Sequence, residues 1–353
     1  MVITSLQLVG FRSYLDAEFE FGSGVNIVVG PNASGKTNLL EALLLASKGK
    51  SYRVDNQDLI NYESDIARLS VSFVDSDRVV TIERTNGQCV RRLMVNGTEH
   101  VRWRREDDLP VVLFEPDHMT LVNGSPSGRR AYLDGILEST VSGYKTALAR
   151  FTRTLAQRNR LLKTPHVAEE QYFVWDMKFA EYGAEVVRHR RVLADQINNV
   201  LAGHYAAIAN RNTPLTVEYT TPITHVDYQS GLLAALHKNR DTERMRGFTL
   251  SGPHREDLSI RLNNQSAELT ASRGEVRSII LALKLAEMTM IERAFDTTPL
   301  LLLDDVFSEL DTNRQKSLAT ALKGRQTVLT TTNADTWVRF GGKHFETIRL
   351  GGN

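Results

Sequence analysis

The chain has a single cysteine, Cys89, among 353 residues. An internal disulfide is therefore excluded, as is a thiolate metal cluster, and this usage fits a reducing cytosol. No apolar run approaches the ~18 residues of a membrane span, and no basic segment leads into an apolar one at the N-terminus. A soluble, cytoplasmic protein without membrane association is expected. Net charge is also scarce, because 43 Lys and Arg against 42 Asp and Glu leave +1. Any nucleic-acid role must then rest on local patches. There is no internal repeat or low-complexity tract, and the heptad regularity is too short and broken for an extended coiled coil. What remains, with 41% hydrophobic residues, is an ordinary globular composition with room for two domains or lobes.

The strongest local signal is Gly30-Pro31-Asn32-Ala33-Ser34-Gly35-Lys36-Thr37, which fits GxxxxGK followed by Thr or Ser. A strand, Val25 to Val29, precedes it, and a helical run from Asn38 to Leu45 follows. Glycines let such a backbone curl so that N–H groups point at phosphate, and the helix adds the positive end of its dipole. Lys36 is expected to reach the β- and γ-phosphates of ATP, with the Thr37 hydroxyl on Mg2+.

Before the P-loop, Ile3, Leu6, Leu8 and then Phe19 and Phe21 alternate as a hairpin feeding the main sheet. Arg12, between its strands, sits in a loop that could approach the nucleotide and reads equally as a solvated arginine. After the P-loop helix, Leu69 to Phe73, Val79 to Glu83 and Val90 to Val95 read as short strands, with Asn96-Gly97 as a hairpin turn. The expected fold is α/β, a discontinuous P-loop nucleotide-binding domain with an antiparallel β section and an inserted helical lobe. Its domains are 1–126, a helical lobe over 127–247, and a return to the nucleotide-binding domain over 248–353. The lobe is read from amphipathic stretches such as Ala147 to Lys163 and Glu169 to His204, and is closed by strand-like Leu215 to Tyr219 and a helix near Gln229 to Lys238.

Leu300 to Leu303 followed by Asp304 and Asp305 reads as a buried parallel strand delivering acids to the carboxyl edge of a sheet. Asp304 is expected to hold Mg2+ through water, and Asp305 to orient or deprotonate the attacking water. Ser272-Arg273-Gly274-Glu275 precedes a helix from Val276 to about Phe295 and admits two readings. Ser272 and Glu275 can close a capping box, and the same helix start can bind a γ-phosphate presented by another subunit. Ser308-Glu309-Leu310-Asp311 and the strand Thr327 to Asn333 complete an order like that of the ATP-binding-cassette group.

With these motifs in place, the sequence resembles the RecF family, bacterial recombination and replication-repair ATPases related to SMC heads. The resemblance is carried further by Gly10-Phe11-Arg12-Ser13-Tyr14, Phe114-Glu115-Pro116-Asp117, Val122-Asn123-Gly124-Ser125-Pro126, Gln157-Arg158-Asn159, Trp175-Asp176 and Gly252-Pro253-His254-Arg255. It implies an ABC-type head in which two subunits close on two ATP molecules. Gly30 to Asn38 and Arg12 would hold the nucleotide in cis, and Ser272, Arg273, Gly274 and Glu275 would act in trans. It also implies ATP-dependent binding to single- or double-stranded DNA, RecO and RecR type mediators, loading of RecA, and a place in the DNA-damage and SOS responses. Departures are visible too. Arg273 and Glu275 stand where ABC signatures carry Gly and Gln, and Asp305 stands where a glutamate is usual. The switch histidine has no counterpart after Leu329, so Thr332 or Asn333 would substitute. Slow hydrolysis is expected, with Lys36 and Asp305 as the catalytic pair. His254 reads as a structural turn residue.

Arginine suits phosphate contacts because its planar fork pairs with phosphate oxygens. The DNA candidates are Arg129, Arg130, Arg153, Arg158, Arg160, Arg188, Arg190 and Arg191, with Arg102-Trp103-Arg104-Arg105 as a possible stacking site. A charge run is usually a solvated helix face, and Trp103 can equally pack under a hairpin. Two other functions stay open: the cytosolic ATPase subunit of a transporter, and a DNA scaffold that holds ATP without hydrolysing it.

Overall fold

The computed structural model describes residues 2–49, 51, 53–85, 88–100, 107–115, 118, 120–166, 168–333 and 345–351. The Arg102 to Arg105 stretch, Pro116 and Asp117 lie outside the described residues. The chain divides into two compact units, Met1–His118 with Glu287–Asn353, and Met119–Ala286.

In the first unit, β1 (Ile3–Phe11) and β2 (Tyr14–Glu20) form the expected hairpin. β3 (Val25–Val29) leads into the P-loop and its helix, Lys36–Lys48. β4 (Ile66–Phe73), β5 (Asp77–Thr85), β6 (Gln88–Val95) and β7 (Thr98–His100) follow, and then β8 (Val111–Phe114). One antiparallel sheet runs in the order β2-β1-β4-β5-β6-β7. The hairpin thus joins this sheet, not the one that carries the P-loop. Period-2 alternation places Ala67, Leu69, Val71 and Phe73 of β4 in the core. Between β6 and β7, Asn96 and Gly97 both have positive φ, as a two-residue hairpin turn of the I′ class requires.

The second unit is mostly helical. It contains Thr120–Asn123, Pro126–Thr140, Tyr144–Leu162, Glu169–Ala209, Tyr228–Arg246, Ala267–Thr270 and the start of Arg273–Phe295. It also holds a small sheet of β9 (Leu215–Thr220), β10 (Asp257–Leu262) and β11 (Gln265–Ser266), ordered β11-β10-β9. The lobe expected over 127–247 therefore continues to Ala286, because β10 pairs antiparallel with β9 and not with the ATPase sheet. Alternation marks a strand but does not name its partner. The 41-residue helix ends at Asn210, in the left-handed conformation, and Tyr228–Arg246 ends at Gly247, likewise left-handed.

The chain returns to the first unit with β12 (Leu300–Asp304), the helix Thr312–Ala321, β13 (Thr327–Thr331) and β14 (Phe345–Arg349). These strands complete a parallel sheet with β3 and β8, ordered β14-β3-β13-β12-β8. Its strand β12 is apolar up to Asp304 and β13 is buried along its whole length, because both faces of the sheet are covered. Leu39, Leu40 and Leu43 of the P-loop helix share one core with Leu8, Leu69 and Ile82 of the antiparallel sheet and with Val28, Leu302 and Val328 of the parallel one. Gln326 ties the two sheets by accepting from Ile3 N at 2.8 Å and donating to Ile3 O at 2.7 Å. No helix among the described residues is long and apolar enough to cross a membrane.

Candidate nucleotide site

Parallel register alone brings the nucleotide motifs together. Asp304 pairs with Thr330, Thr330 with Val28, and Thr331 with Val29. The P-loop and the acidic pair thus leave the same carboxyl edge on either side of β13, where ligands of open parallel sheets sit.

The P-loop is a strained, tight turn. Ala33 has φ 65°, a conformation costing a side-chain-bearing residue about 1–2 kcal/mol. Gly35 has φ 95°, and a Cβ there would lie 2.8 Å from Tyr14 Oη. A Cβ on Gly30 would lie 2.5 Å from Ser34 Oγ. Lys36 is 8% exposed and its Nζ donates to Gly30 O at 2.7 Å and Pro31 O at 2.8 Å, so its ammonium lies against the loop it must serve. Ser34 Oγ is buried with no hydrogen-bond partner among the described residues. The first N–H groups of the Lys36–Lys48 helix have no intrahelical acceptor. A curled backbone, a buried ammonium and a buried hydroxyl in search of a partner fit a triphosphate.

Across β13, Thr37 Oγ1 donates to Asp304 Oδ2 at 2.9 Å. Asp304 Oδ1 accepts from Thr330 Oγ1 at 2.8 Å, and Thr330 Oγ1 accepts from Asp305 N at 2.9 Å. Asp305 is itself left-handed, with φ 48°, and starts the single turn Val306–Glu309, which Ser308 secures by donating to Asp305 O at 2.7 Å. Thr37 and Asp304 are the residues that would hold Mg2+, whose charge would offset that on the phosphates.

The β1–β2 turn braces this loop. Asn38 Nδ2 donates to Ser13 Oγ at 2.9 Å, and Tyr14 Oη donates to Gly35 O at 3.1 Å. Burial pushes the Tyr14 phenol up to about 12, so it remains a donor at neutral pH. Arg12 faces the P-loop helix, where its guanidinium pairs with the fully buried Glu41 at 2.8–2.9 Å and donates to Asp58 O at 3.1 Å. Ser13, Tyr14, Glu41 and Thr330 were missed as site residues by the sequence reading. Only Glu41 had a usable signal, since a carboxylate in an otherwise apolar helix demands a cation.

In the second unit, Ser272 and Glu275 form the capping box. Ser272 N and Oγ donate to Glu275 Oε2 at 2.9 and 2.7 Å, and Glu275 N donates back to Ser272 Oγ at 3.3 Å. Ser272 and Arg273 are exposed, and Gly274 is half-buried. His254 is held by Thr249 O at 3.1 Å and packs on Phe151 and Phe179, and burial depresses its imidazole to about 4. It is a structural residue, as its place in the chain suggested.

Three arginines grouped as DNA candidates are withdrawn by their surroundings. Arg129 forks onto Asp257 at 2.7 and 2.8 Å, and Arg190 onto Asp134 at 2.8 Å. Arg158 is fully buried among Asp176, Glu243 and Thr249. A guanidinium enclosed by carboxylates has no face for a phosphate. Arg130 is half-buried and donates to Glu256 O at 2.7 Å. Arg153, Arg160, Arg188 and Arg191 are exposed, the first two seven residues apart on one helix face. Arg191 lies over the Tyr228 ring at 5.7 Å.

A P-loop and an acidic strand on a parallel sheet, backed by an antiparallel sheet, define the head of an ABC-type ATPase. Solved SMC head domains share this fold, one with a TM-score of 0.54 at 18% identity over 95% of this chain and 91% of that one. The family model for the RecF/RecN/SMC N terminal domain matches residues 2–339, and the chain belongs to the RecF family within it. It is 34% identical to the DNA replication and repair protein RecF of Alkaliphilus oremlandii over 345 residues, 95% of this chain and 94% of that one. It is 33% identical over 338 residues to the RecF of Clostridioides difficile, covering 94% and 91%. A solved structure of the recombination mediator protein RecF-ATPrS in the RecFOR pathway superposes with a TM-score of 0.86 at 29% identity, over 99% of this chain and 97% of that one. A second, RecF-ATP, gives 0.83 at 29% identity, covering 94% and 92%.

Proposed function

We propose that this protein is an ATP-dependent DNA-binding protein of bacterial replication and recombinational repair. Two copies close on ATP around gapped or junction DNA, and slow hydrolysis releases them. The observation that carries the ATPase reading is the meeting of Thr37 with Asp304 across β13, next to a Lys36 held inside the P-loop. The names of the relatives, DNA replication and repair proteins, and the ATP-bound RecF structures support the repair role. ATP is the substrate. Lys36 and the loop N–H groups bind its phosphates, Thr37 and Asp304 hold the magnesium, and Asp305 orients or takes a proton from the attacking water. Asp305 is one methylene shorter than glutamate and holds that water less closely, which makes the hydrolysis slow.

Ser272, Arg273, Gly274 and Glu275 serve the partner copy's γ-phosphate. The exposed start of the helix Arg273–Phe295 supports that role. ATP bridging two copies stabilises only the closed state that it contacts in both, and hydrolysis removes this differential affinity. Arg153, Arg160, Arg188 and Arg191 supply backbone contacts to DNA with little sequence preference. By family resemblance the partners are RecO and RecR type mediators and, through them, RecA.

The test is steady-state ATP hydrolysis against protein concentration, with and without linear duplex DNA. Specific activity is expected to climb with concentration and to rise with DNA. A rate flat in both, below dimer saturation, refutes the clamp and leaves an ATP-holding scaffold. The scaffold reading then requires Lys36→Ala to lose hydrolysis without losing ATP-dependent DNA binding.

A further inference from the structure

The hydroxyl of Thr330 occupies a place that the nucleotide motifs do not explain. It lies on β13, every residue of which is buried, and Thr330 itself is 0% exposed. A valine would fill the same volume without desolvating a hydroxyl, so the oxygen must be matched by polar partners to be tolerated. It is matched twice. Its one hydrogen goes to Asp304 Oδ1 at 2.8 Å, and its lone pair takes the N–H of Asp305 at 2.9 Å. The weaker approach to Leu303 O, at 3.4 Å, competes for the same hydrogen. With Thr37 on Asp304 Oδ2, both oxygens of that carboxylate are oriented, one from the P-loop and one from β13. The bond to Asp305 N fixes the next peptide at the point where the chain turns into a left-handed residue, φ 48°.

We propose that Thr330 is a positioning residue for the magnesium and water side of the site. It sets the rotamer of Asp304 for the metal, and holds the backbone of Asp305 in the strained conformation from which its carboxylate works. This rests on the nucleotide reading given above. Groups that orient metal ligands from behind typically change metal affinity or activity by ~10–100-fold when removed.

The experiment compares wild type, Thr330→Ser and Thr330→Val by binding of a fluorescent ATP analogue, titrated with MgCl2 and repeated in EDTA, with melting curves for each. Thr330→Val is expected to raise the magnesium concentration at half-saturation ~10-fold or more. Its binding in EDTA should match wild type, and Thr330→Ser, which keeps the hydroxyl, should stay within about threefold of wild type. A magnesium midpoint for Thr330→Val equal to that of wild type overturns the proposal. So does a loss of nucleotide affinity of the same size with and without magnesium, which marks a packing role. A Thr330→Val protein that fails to fold leaves Thr330→Ser decisive: a magnesium shift as large as that expected for the valine variant rejects the hydroxyl as the acting group. Wild type without magnesium-dependent nucleotide binding removes the ATPase reading itself, and this proposal with it.

Discussion

Arg158 and Arg160 lie on one helix, two residues apart and equal in charge, yet the structure assigns them opposite consequences. Arg158 is fully buried. Its Nε donates to Asp176 at 2.7 Å, and its Nη1 donates to Thr249 Oγ1 at 2.7 Å. Its Nη2 stands 2.7 Å from Glu243, itself 0% exposed, as an ion pair off hydrogen-bond alignment. Glu243 also receives Leu250 N at 2.7 Å, so this one guanidinium gathers three helices and the turn before β10. Arg158→Ala leaves Glu243 buried without its cation, while Asp176 keeps Arg240 at 2.8 Å. Breaking a buried pair in this way costs about 3–5 kcal/mol. For a domain of this size, that is a fall in melting temperature of roughly 6–20 °C. Arg160 is exposed, and Arg160→Ala should cost no more than ~0.5 kcal/mol. If its helix face meets DNA, Arg160→Ala instead lowers the salt slope of duplex binding by about 1. Melting curves by circular dichroism and DNA titrations at several salt concentrations read both. Arg158→Ala melting within ~2 °C of wild type would refute the argument that this arginine is structural.

Three further outcomes are expected. Lys36→Ala removes the buried ammonium from Gly30 and Pro31 and should lower ATP hydrolysis by about 10²-fold or more, measured by phosphate release. Ser272→Arg should abolish ATP-dependent dimers in light scattering while leaving fluorescent-nucleotide binding by the monomer unchanged; dimers that persist reject the trans role. His254 has its folded-state pKa depressed by burial to about 4, below the ~6.5 of an unfolded chain. The unfolded state therefore binds more protons between these values. The contribution of the neutral ring is complete above about pH 6.5 and is lost as pH falls towards 4, and His254→Gln should remove about 2 kcal/mol of the stability difference between pH 7 and pH 5, read by urea unfolding.

The candidate nucleotide site is largely legible in the sequence because its parts are local. A strand, a turn with glycine where φ is positive, and a helix follow one another within Val25 to Lys48, and each is specified by its own residues. Leu300 to Asp304 announces a doubly buried strand by being apolar throughout and then acidic. Ser272 and Glu275 pair three residues apart, so their capping box is readable from spacing. None of this required knowledge of distant contacts.

Whatever depended on which distant groups meet was decided only by the tertiary structure. Arg129, Arg158 and Arg190 look no different from Arg153, Arg160 and Arg188 along the chain, and periodicity cannot tell a helix face turned to solvent from one turned to carboxylates 18 to 128 residues away. The pairing of β10 with β9, which carries the second unit to Ala286, is equally invisible, because a strand's alternation fixes its faces and not its neighbour. Thr330 is the sharpest instance. In the sequence it is one threonine in a β-branched run, and only the parallel register that sets it beside Asp304 turns its hydroxyl into a hinge between two carboxylate-bearing residues. Local sequence determined the loop, the helix and the acids, since short-range sterics and hydrogen bonds suffice for them. Long-range strand pairing and burial decided how those acids are aimed and which cations remain free to meet a partner.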